Sequence, residues 1–501
     1  MMQFQFSHAS VIRACVRLGL LISIVVLWMA PMPVAAQDLP RAPGAKLVNL
    51  NRIPGYFTEP GVAVNPRNPQ QVAMAFQDPA HIAYSFDAGR HWQTAVGVAP
   101  LDYRVSGDVS VTYDNKGHAI ICYIAFDNLG TSEYWGHGAT RNGIYVRRSL
   151  DGGMTWEAQD VPVVQHATAP GIPFDDKPYI VADDTSGPYA GNLYVGWTRW
   201  ELSDSRLLFS RSTDYGKTWS KPAELDDHPG LPRDDNGGLE GFNGAVGAHG
   251  TLYVVWTDGS RITLTESRDG GRTFAPPLPI IHTAPAFFTV DGVSRSNGFP
   301  QIAIDPRGGE LYVTWSDYRN GEVDVFCSTS YDRRHAWTPP VKVNSDPIHN
   351  GSDHFFQWLA VDPVTGAANV IFYDRRGDPD NQKQIVVLAR STDEGKSFAN
   401  YAWTVRPFDA YGLFIGDYTG LAAFGGRVYG AWTVKLPGTP FPQGENKGSS
   451  ELPRSKHKAY WKSHGTIIQA GIADFTRHDS SESQSAREDR GKSAINRFSR
   501  E

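Results

Sequence analysis

Cysteine is nearly absent from this chain, which has 3 cysteines in 501 residues. Cys122 and Cys327 fall in different sequence repeats, so we expect two buried thiols and no disulfide framework. No histidine or cysteine pair has the close spacing of a zinc site, and no EF-hand or phosphate-binding loop is present. The sequence therefore indicates no metal and no other cofactor, although clustered aspartate oxygens leave Ca²⁺ open.

The chain also lacks an excess of charge of either sign. Its formal net charge is −6 and its pI is about 6.2, which argues against a nucleic-acid partner. The one marked apolar run, residues 18–30, follows Arg13 and Arg17 and precedes small residues at 33–36. It is too short to span a bilayer comfortably. We expect a signal peptide over residues 1–36, a secreted or periplasmic protein that begins near Gln37, and no stable membrane span after cleavage. An uncleaved anchor is the alternative.

One short pattern, Ser-x-Asp-x-Gly-x-Thr-Trp, occurs six times. The copies begin at residues 85, 149, 212, 267, 330 and 391, and the fifth copy is the most divergent. Such a regular period is typical of a propeller or a solenoid, in which each unit buries its apolar face against the next. We predict that the aspartate of each copy accepts hydrogen bonds from backbone N–H groups two residues on. The glycine supplies a positive φ, and the last aromatic residue packs under the turn. The six aspartates are Asp87, Asp151, Asp214, Asp269, Asp332 and Asp393.

This pattern resembles the Asp-box of the sialidase-like propellers, and the resemblance covers roughly residues 45–465. It implies an all-β β-propeller of four-stranded antiparallel blades, with the box at the hairpin between the third and fourth strands. Two further strands can be read before each box. A seventh pair, residues 419–423 and 427–432, follows the last box, with residues 457–462 as a third strand. Residues 46–52 would close the ring.

We therefore favour seven blades, six of them with a box, and keep six blades as the alternative. The propeller occupies residues 37–472 as a single domain, and residues 436–456 form a long loop within its last blade. The polar residues 473–501 are predicted to form a disordered tail.

Propeller topology places the residues before each first strand and after each second strand on the face opposite the boxes. Carboxylates, arginines and tyrosines concentrate at these positions. Arginine suits a carboxylate ligand because its planar guanidinium makes two parallel bonds. The alternative is that each arginine pairs with a neighbouring aspartate and fixes a loop, as Asp317 with Arg319 and Asp374 with Arg376 suggest.

In sialidases an arginine triad holds the substrate carboxylate, a tyrosine activated by a glutamate attacks, and an aspartate is the acid/base. The resemblance thus implies catalytic roles for Tyr418 or Tyr373, for Glu59 as the activating group, and for Asp317 or Asp108 as the proton donor. Arg199, Arg319 and Arg375 would bind the carboxylate. Residues 51–54 resemble the family's first-arginine motif, with Arg52 as the arginine and Asn51 in place of its aromatic residue. The further substrate-binding candidates are Arg261, His354, Arg376 and Asp417.

The leading hypothesis is a secreted, glycan-active propeller, namely a glycoside hydrolase acting on a sialic or uronic acid. The first alternative is a non-catalytic propeller that binds a glycan or a protein. The second is a polysaccharide lyase, in which tyrosine and histidine would remove a proton next to a carboxylate. The expected partner is a glycan, and the oligomeric state is left open.

Overall fold

The computed structural model describes residues 39–476, except 52–54, 56, 78, 96, 99, 101–102, 104, 128–138, 168–172, 233–236, 285–287, 333–334, 411–413 and 437–464. Within these residues the chain is all-β, without a helix, and its strands form seven antiparallel sheets. The seven sheets form a seven-bladed β-propeller. The predicted fold is confirmed, and the six-bladed alternative is wrong.

The N-terminal strand β1 (Lys46–Asn49) is followed by six blades built from consecutive strands. Blade 1 contains β2 (Thr58–Val64), β3 (Val72–Gln77), β4 (His81–Ser85) and β5 (Gln93–Ala95); blade 2 contains β6 (Val105–Tyr113), β7 (Ala119–Phe126), β8 (Asn142–Ser149) and β9 (Val161–His166). Blade 3 contains β10 (Phe174–Ala182), β11 (Leu193–Trp200), β12 (Ser205–Ser212) and β13 (Ala223–Glu224); blade 4 contains β14 (Leu239–Val246), β15 (Leu252–Asp258), β16 (Arg261–Ser267) and β17 (Leu278–His282). Blade 5 contains β18 (Gln301–Ile304), β19 (Leu311–Asp317), β20 (Asp324–Ser330) and β21 (Val341–Lys342); blade 6 contains β22 (His354–Val361), β23 (Ala368–Asp374), β24 (Lys383–Ser391) and β25 (Ala399–Ala402), with β26 (Phe408–Asp409) beside β24.

Blade 7 joins the two ends of the chain. It contains β27 (Gly420–Phe424), β28 (Arg427–Lys435) and β29 (Thr466–Asp474), and its fourth strand is β1. Lys46 pairs with Ile472, so the N-terminal strand closes the ring as predicted. The third strand is β29, whereas the predicted third strand, residues 457–462, lies outside the described residues. Blade 7 lacks a box because no hairpin connects its third strand to a fourth.

The Asp-boxes have one hydrogen-bond pattern in all six blades. The serine hydroxyl donates to the aspartate Oδ1 over 2.7–2.9 Å. The same oxygen accepts a backbone N–H over 2.8–3.0 Å from the residue four positions on. The predicted spacing of two residues is therefore corrected to four. The glycines of five boxes have positive φ, and all six boxes lie between third and fourth strands.

The hydrophobic core is divided among the junctions between blades. Seven clusters of buried side chains each join two neighbouring blades around the ring. The aromatic residue that ends each box packs against one of these clusters, as Trp219 does between blades 2 and 3. Each blade therefore depends on both neighbours for burial, as the repeat predicts.

Two expectations about the chain's ends and thiols can be compared with the structure. Cys122 and Cys327 are buried free thiols, as predicted. Strand β29 runs to Asp474 and Phe475 is buried, so the ordered propeller extends beyond the predicted limit at residue 472. The predicted signal peptide, residues 437–456 of the predicted loop, and residues 477–501 of the predicted tail lie outside the described residues. Across the described ranges, no helix has the length and apolar character needed to cross a membrane.

Candidate active site at the channel mouth

Five inner strands carry the same irregularity close to their first residue. In blades 1, 2, 3, 4 and 6 the pairing with the second strand shifts by one residue, which is a β-bulge. Each bulge holds one residue with left-handed backbone; these are Glu59 (φ 53°), Asp108 (φ 46°), Lys177 (φ 49°), Gly241 (φ 78°) and Phe356 (φ 52°). Non-glycine residues rarely adopt this conformation, and such strain concentrates at functional sites. The bulges therefore mark the mouth of the channel as the place to seek a site.

Two buried carboxyl groups, Glu59 and Asp417, lie against each other at this mouth. The backbone N–H of Asp417 donates to Glu59 Oε1 over 3.0 Å, and the Gln77 side-chain amide donates to Glu59 Oε2. Burial and the nearby charges of Asp108 and Asp417 raise the pKa of Glu59 well above its usual value. Burial also raises the pKa of Asp417, but Arg295 and Lys177 outweigh burial and lower it overall. The pair therefore contains one carboxyl with a raised pKa and one with a lowered pKa.

Asp108 is the more accessible carboxyl of this group. It is half-buried, whereas Glu59 is 1% exposed. Its backbone N–H donates to Gln77 Oε1 over 2.6 Å, so Gln77 contacts both Asp108 and Glu59. Asp108 Oδ2 accepts the backbone N–H of Lys177 over 3.1 Å. The bulges of blades 1, 2 and 3 are thus joined into one hydrogen-bonded group.

Two cations accompany these carboxyls. Arg295 donates hydrogen bonds to Asp417 from two nitrogens, with 2.8 Å between Nε and Oδ1. Lys177 Nζ lies 3.8 Å from Asp417 Oδ2, beyond hydrogen-bonding distance. The same ammonium stands 4.2 Å from the centre of the Phe299 ring and 4.6 Å from that of Tyr418. Cation–π contacts at these distances stabilise a buried ammonium, but the ring faces do not accept conventional hydrogen bonds from it.

Tyr418 lies between the charged group and the channel. Its hydroxyl donates to the carbonyl of Val109 over 3.4 Å, and its ring centre is 5.7 Å from that of Trp358. Burial and the charges of Glu59, Asp108 and Asp417 raise the pKa of Tyr418 well above its usual value, so the phenol is neutral at pH 7. Lys177, Tyr418, Trp358, Phe299 and Phe242 line a cavity of about 30 Å³. This volume accommodates about one or two water molecules, so a sugar would have to bind above it, at the mouth.

The predicted arginines are used elsewhere. Arg199 binds Asp175 over 2.8 Å and contacts His166, Arg319 binds Asp317 over 2.5 Å, and Arg376 binds Asp374 over 2.7 Å. Arg261 pairs with Asp258 over 2.5 Å. Arg375 is fully buried and donates to the carbonyls of Asp291 and Asn381 over 2.8 and 2.6 Å. Four of these arginines thus pair with aspartates, as the loop-fixing alternative predicts, whereas Nη2 of Arg375 has no hydrogen-bond partner among the described residues. The assignment of these arginines to substrate binding stays a prediction. Arg52 lies outside the described residues.

Two of the predicted catalytic residues lie away from the mouth group. Tyr373 is fully buried, where its hydroxyl donates to the carbonyl of Thr433 over 2.9 Å and accepts the N–H of Thr433 over 3.1 Å. Asp317 is also fully buried, and it accepts bonds from Trp315 and Arg319. Tyr373 therefore joins blades 6 and 7, and Asp317 is bonded to residues of its own blade. The structure brings together Tyr418, Glu59, Asp108 and Asp417, whose functional roles remain predictions.

His354 belongs to a second buried charged group, at the junction of blades 5 and 6. Its Nε2 lies 3.3 Å from Asp346 and 3.5 Å from Asp374. Asp324, Asp346 and His354 have the spacing of possible metal ligands. Lys342 Nζ already stands 3.2 Å from Asp324 and 3.6 Å from Asp346, so an ammonium supplies the positive charge that a metal would bring. This arrangement fits an ion-pair network better than a Ca²⁺ site, and the fully buried His354 has a structural role.

Sequence reasoning assigned no role to Arg295 or to Lys177. Arg295 lies in the long connection between β17 and β18, outside the repeated unit, and no local pattern relates it to Asp417. Lys177 does carry a signal, since it occupies the bulge position in β10 that Glu59 and Asp108 occupy in β2 and β6. Aligning the blades on those positions would have identified it.

Comparisons with known proteins agree with the fold. No protein-family model matches the chain. A xyloglucanase from Paenibacillus sp. is 27% identical over 295 residues, 54% of this chain and 24% of that enzyme, so this chain spans about a quarter of its length. Similar solved structures include a Hadza microbial sialidase (TM-score 0.44, 15% identity, 81% of this chain and 74% of that one). They also include YCF48 bound to a D1 peptide (TM-score 0.41, 13% identity, 86% of this chain and 99% of that one). These similarities are consistent with a sialidase-like propeller, and the seven blades themselves establish the propeller fold.

Proposed function

We propose that this chain is a glycan-active enzyme, a glycoside hydrolase that acts on an acidic sugar at the channel mouth. The observation that carries the proposal is the convergence of Glu59, Asp108 and Lys177, all on left-handed backbone, upon Asp417 and Tyr418. Backbone strain, opposed carboxyl pKa values and a tyrosine in one place are typical of a catalytic centre. The xyloglucanase and sialidase names of similar proteins agree with a glycan as the substrate.

Asp108 is the carboxyl that we assign to direct contact with the substrate, because it is the accessible member of the group. It would protonate the glycosidic oxygen as the bond to the anomeric carbon breaks. The raised pKa of Glu59 opposes its ionisation, and only the ionised carboxylate can take the proton of Tyr418. If Tyr418 attacks the anomeric carbon, its proton must pass to an ionised Glu59 or to another acceptor.

The test is product release by the full chain from a panel of sialosides, uronides and neutral β-glucans, xyloglucan included. We expect Asp108→Asn to lower kcat/KM by about 10²–10⁴-fold, the usual contribution of a general acid. Asp227→Asn, at an aspartate whose side chain is 89% exposed, is the matched control and should leave turnover unchanged. If Asp108→Asn were fully active, the reaction would not take place at the channel mouth. Tyr418→Phe tests the attacking group separately.

A binding propeller is the second candidate, favoured by the aromatic lining of the cavity. Phe242, Phe299, Trp358 and Tyr418 offer ring surfaces to a ligand without any requirement for turnover. Saturable binding of a panel member without product would establish this function. The lyase alternative receives less support, because His354 is buried in the network between blades 5 and 6.

We also propose that the chain is exported. The support is the sequence of residues 1–36 alone, namely two arginines, a short apolar run and small residues before Gln37. N-terminal sequencing of protein recovered from the periplasm or the medium should give a start near Gln37. Recovery of the uncleaved chain with membranes would favour the anchor instead.

A further inference from the structure

Lys177 is a buried cation with unused hydrogen-bond donors. Its side chain is 12% exposed, and among the described residues Nζ has no hydrogen-bond acceptor. An ammonium carries three N–H donors, and leaving them unmatched in a buried position costs free energy. A protein retains such a group when something else supplies the acceptor.

The surroundings stabilise the charge of Lys177 but do not use its donors. Burial lowers the pKa of the ammonium, but the charges of Asp417, Glu240, Glu59 and Asp108 outweigh burial and raise it, so the group is charged at neutral pH. The nearest carboxylate oxygen, on Asp417, is 3.8 Å away and already accepts a bond from Arg295. The other close neighbours are the faces of Phe299 and Tyr418.

The backbone of Lys177 fixes where this ammonium lies. Its own N–H donates to Asp108 Oδ2, which ties the bulge of blade 3 to that of blade 2. The side chain lines the cavity at the mouth with Phe299 and Tyr418. Lys177 therefore bonds Asp108, the carboxyl proposed to reach the substrate, through its backbone and lines the cavity with its side chain.

The arginines that would otherwise bind an anion are committed to other partners. Arg295 holds Asp417 through two nitrogens, Arg199 holds Asp175, and Arg319 holds Asp317. Lys177 differs from them because its nitrogen donors meet no acceptor within the part of the chain that the structure describes. Nη2 of the buried Arg375 also has no hydrogen-bond partner among the described residues, but Arg375 does not line the cavity at the mouth. Among the described residues that line this cavity, Lys177 is therefore the cation with unused donors.

We propose that Lys177 is the substrate-binding residue that recognises the carboxylate of an acidic sugar, with its ammonium donating to a carboxylate oxygen. This inference rests on the proposed function, because it places the sugar beside Asp108. It replaces the predicted arginine triad with one ammonium enclosed by aromatic rings. A single ammonium gives charge recognition without the two-point geometry of a guanidinium, so uronic and sialic acids are both admissible ligands.

The test compares matched glycosides that differ only in the carboxylate, such as an aryl β-glucuronide with the aryl β-glucoside, and an aryl sialoside with its methyl ester. We expect Lys177→Met to lower kcat/KM for the acidic member of each pair by about 10- to 100-fold, the value of a charged hydrogen bond. The neutral member should change by less than about threefold. Lys177→Arg keeps the charge and should recover part of the preference.

A second readout separates this inference from the proposed function. Calorimetric titration of the full chain with free glucuronate, N-acetylneuraminate and glucose measures recognition without any turnover. Binding of an acid by the wild type that Lys177→Met loses supports the inference even if no glycoside is hydrolysed. If that variant does not fold, weaker binding of the acid to Lys177→Gln is the equivalent result. An unchanged acid-to-neutral ratio in the variant, or equal losses for both substrates, would overturn it.

Discussion

The molecule contains two buried charged groups that use their charges differently. At the junction of blades 5 and 6, Lys342 donates to Asp324 over 3.2 Å and lies 3.6 Å from Asp346, and Arg376 bonds Asp374 over 2.7 Å. At the channel mouth, Lys177 Nζ has no hydrogen-bond acceptor among the described residues. In the first group Lys342 and Arg376 are bonded to carboxylates, although His354 Nε2 makes no hydrogen bond there, whereas Lys177 leaves its donors available to a ligand. Similar side chains thus serve stability in one place and recognition in the other.

The largest expected effect comes from breaking the network between blades 5 and 6. Asp374→Asn removes the charge that both Arg376 and His354 face, and it should lower the free energy of unfolding by about 3–5 kcal/mol. Urea denaturation measures this loss. The exposed Asp380→Asn should cost less than about 0.5 kcal/mol. A loss of less than about 1 kcal/mol for Asp374→Asn would contradict the structural role.

The two lysines offer a direct test of the comparison. Lys342→Met deletes an ammonium with two carboxylate neighbours and should lower the free energy of unfolding by about 1–3 kcal/mol. Lys177→Met deletes an ammonium that makes no hydrogen bond to the described residues, and the free energy of unfolding should change by no more than about 1 kcal/mol. The measurement is thermal or urea unfolding of both variants at pH 7. Equal losses would show that both lysines are structural.

Stability should depend on pH through His354. Burial lowers its pKa, but Asp374 and Asp346 outweigh burial, so the folded-state pKa lies above the usual 6.5. The stabilising charge is fully present below pH 6.5 and is lost as the pH rises through the folded-state pKa, by at most about 1.4 kcal/mol per pH unit. Urea denaturation between pH 6 and 9 measures the slope. His354→Gln should reduce it, and an unchanged slope would assign it to another group.

The smallest effect is expected at Glu59. The pKa of Glu59 is raised in the folded protein. Above pH 4.5 the unfolded chain therefore loses this proton more readily than the folded protein does, and the free energy of unfolding falls as the pH rises. Glu59→Gln mimics the protonated carboxyl, so at pH 7 the variant should be as stable as the wild type or slightly more stable, within about 1 kcal/mol. Denaturation curves at pH 5 and 7 check this. A clear loss at pH 7 would mean that Glu59 is ionised.

Much of the fold could be predicted because the Asp-box is a local structure. Its hydrogen bonds connect residues at most four positions apart, as between Asp214 and Thr218, so the sequence pattern contains all the partners. The sequence also indicated two strands before each box, but not the bulges in the inner one. The bulges at Glu59, Asp108 and Lys177 interrupt the alternation by which a strand is recognised. In blade 7, no box marked the position of β29.

The site could be predicted only in part, for a related reason. Glu59, Asp108 and Tyr418 occupy positions that the repeat places at the mouth, and they do lie together. Arg295 contacts Asp417 across 122 positions, and no repeat relates the two. Arg319 lies two residues from Asp317 and pairs with it, so the sequence alone does not distinguish a loop-fixing arginine from a substrate-binding one.

The pairing of β1 with β29 has a consequence for synthesis. The first strand of the propeller is also the last to be paired, since Lys46 pairs with Ile472 near the other end of the propeller. Contacts this distant in sequence form slowly, because a long loop must close before they contribute free energy. Before the ribosome has released residues 466–474, the nascent chain contains six blades together with β27 and β28. At this stage it would expose the apolar side of blade 1 and an unpaired edge of β28. These surfaces would therefore stay exposed until β29 is available to close the ring.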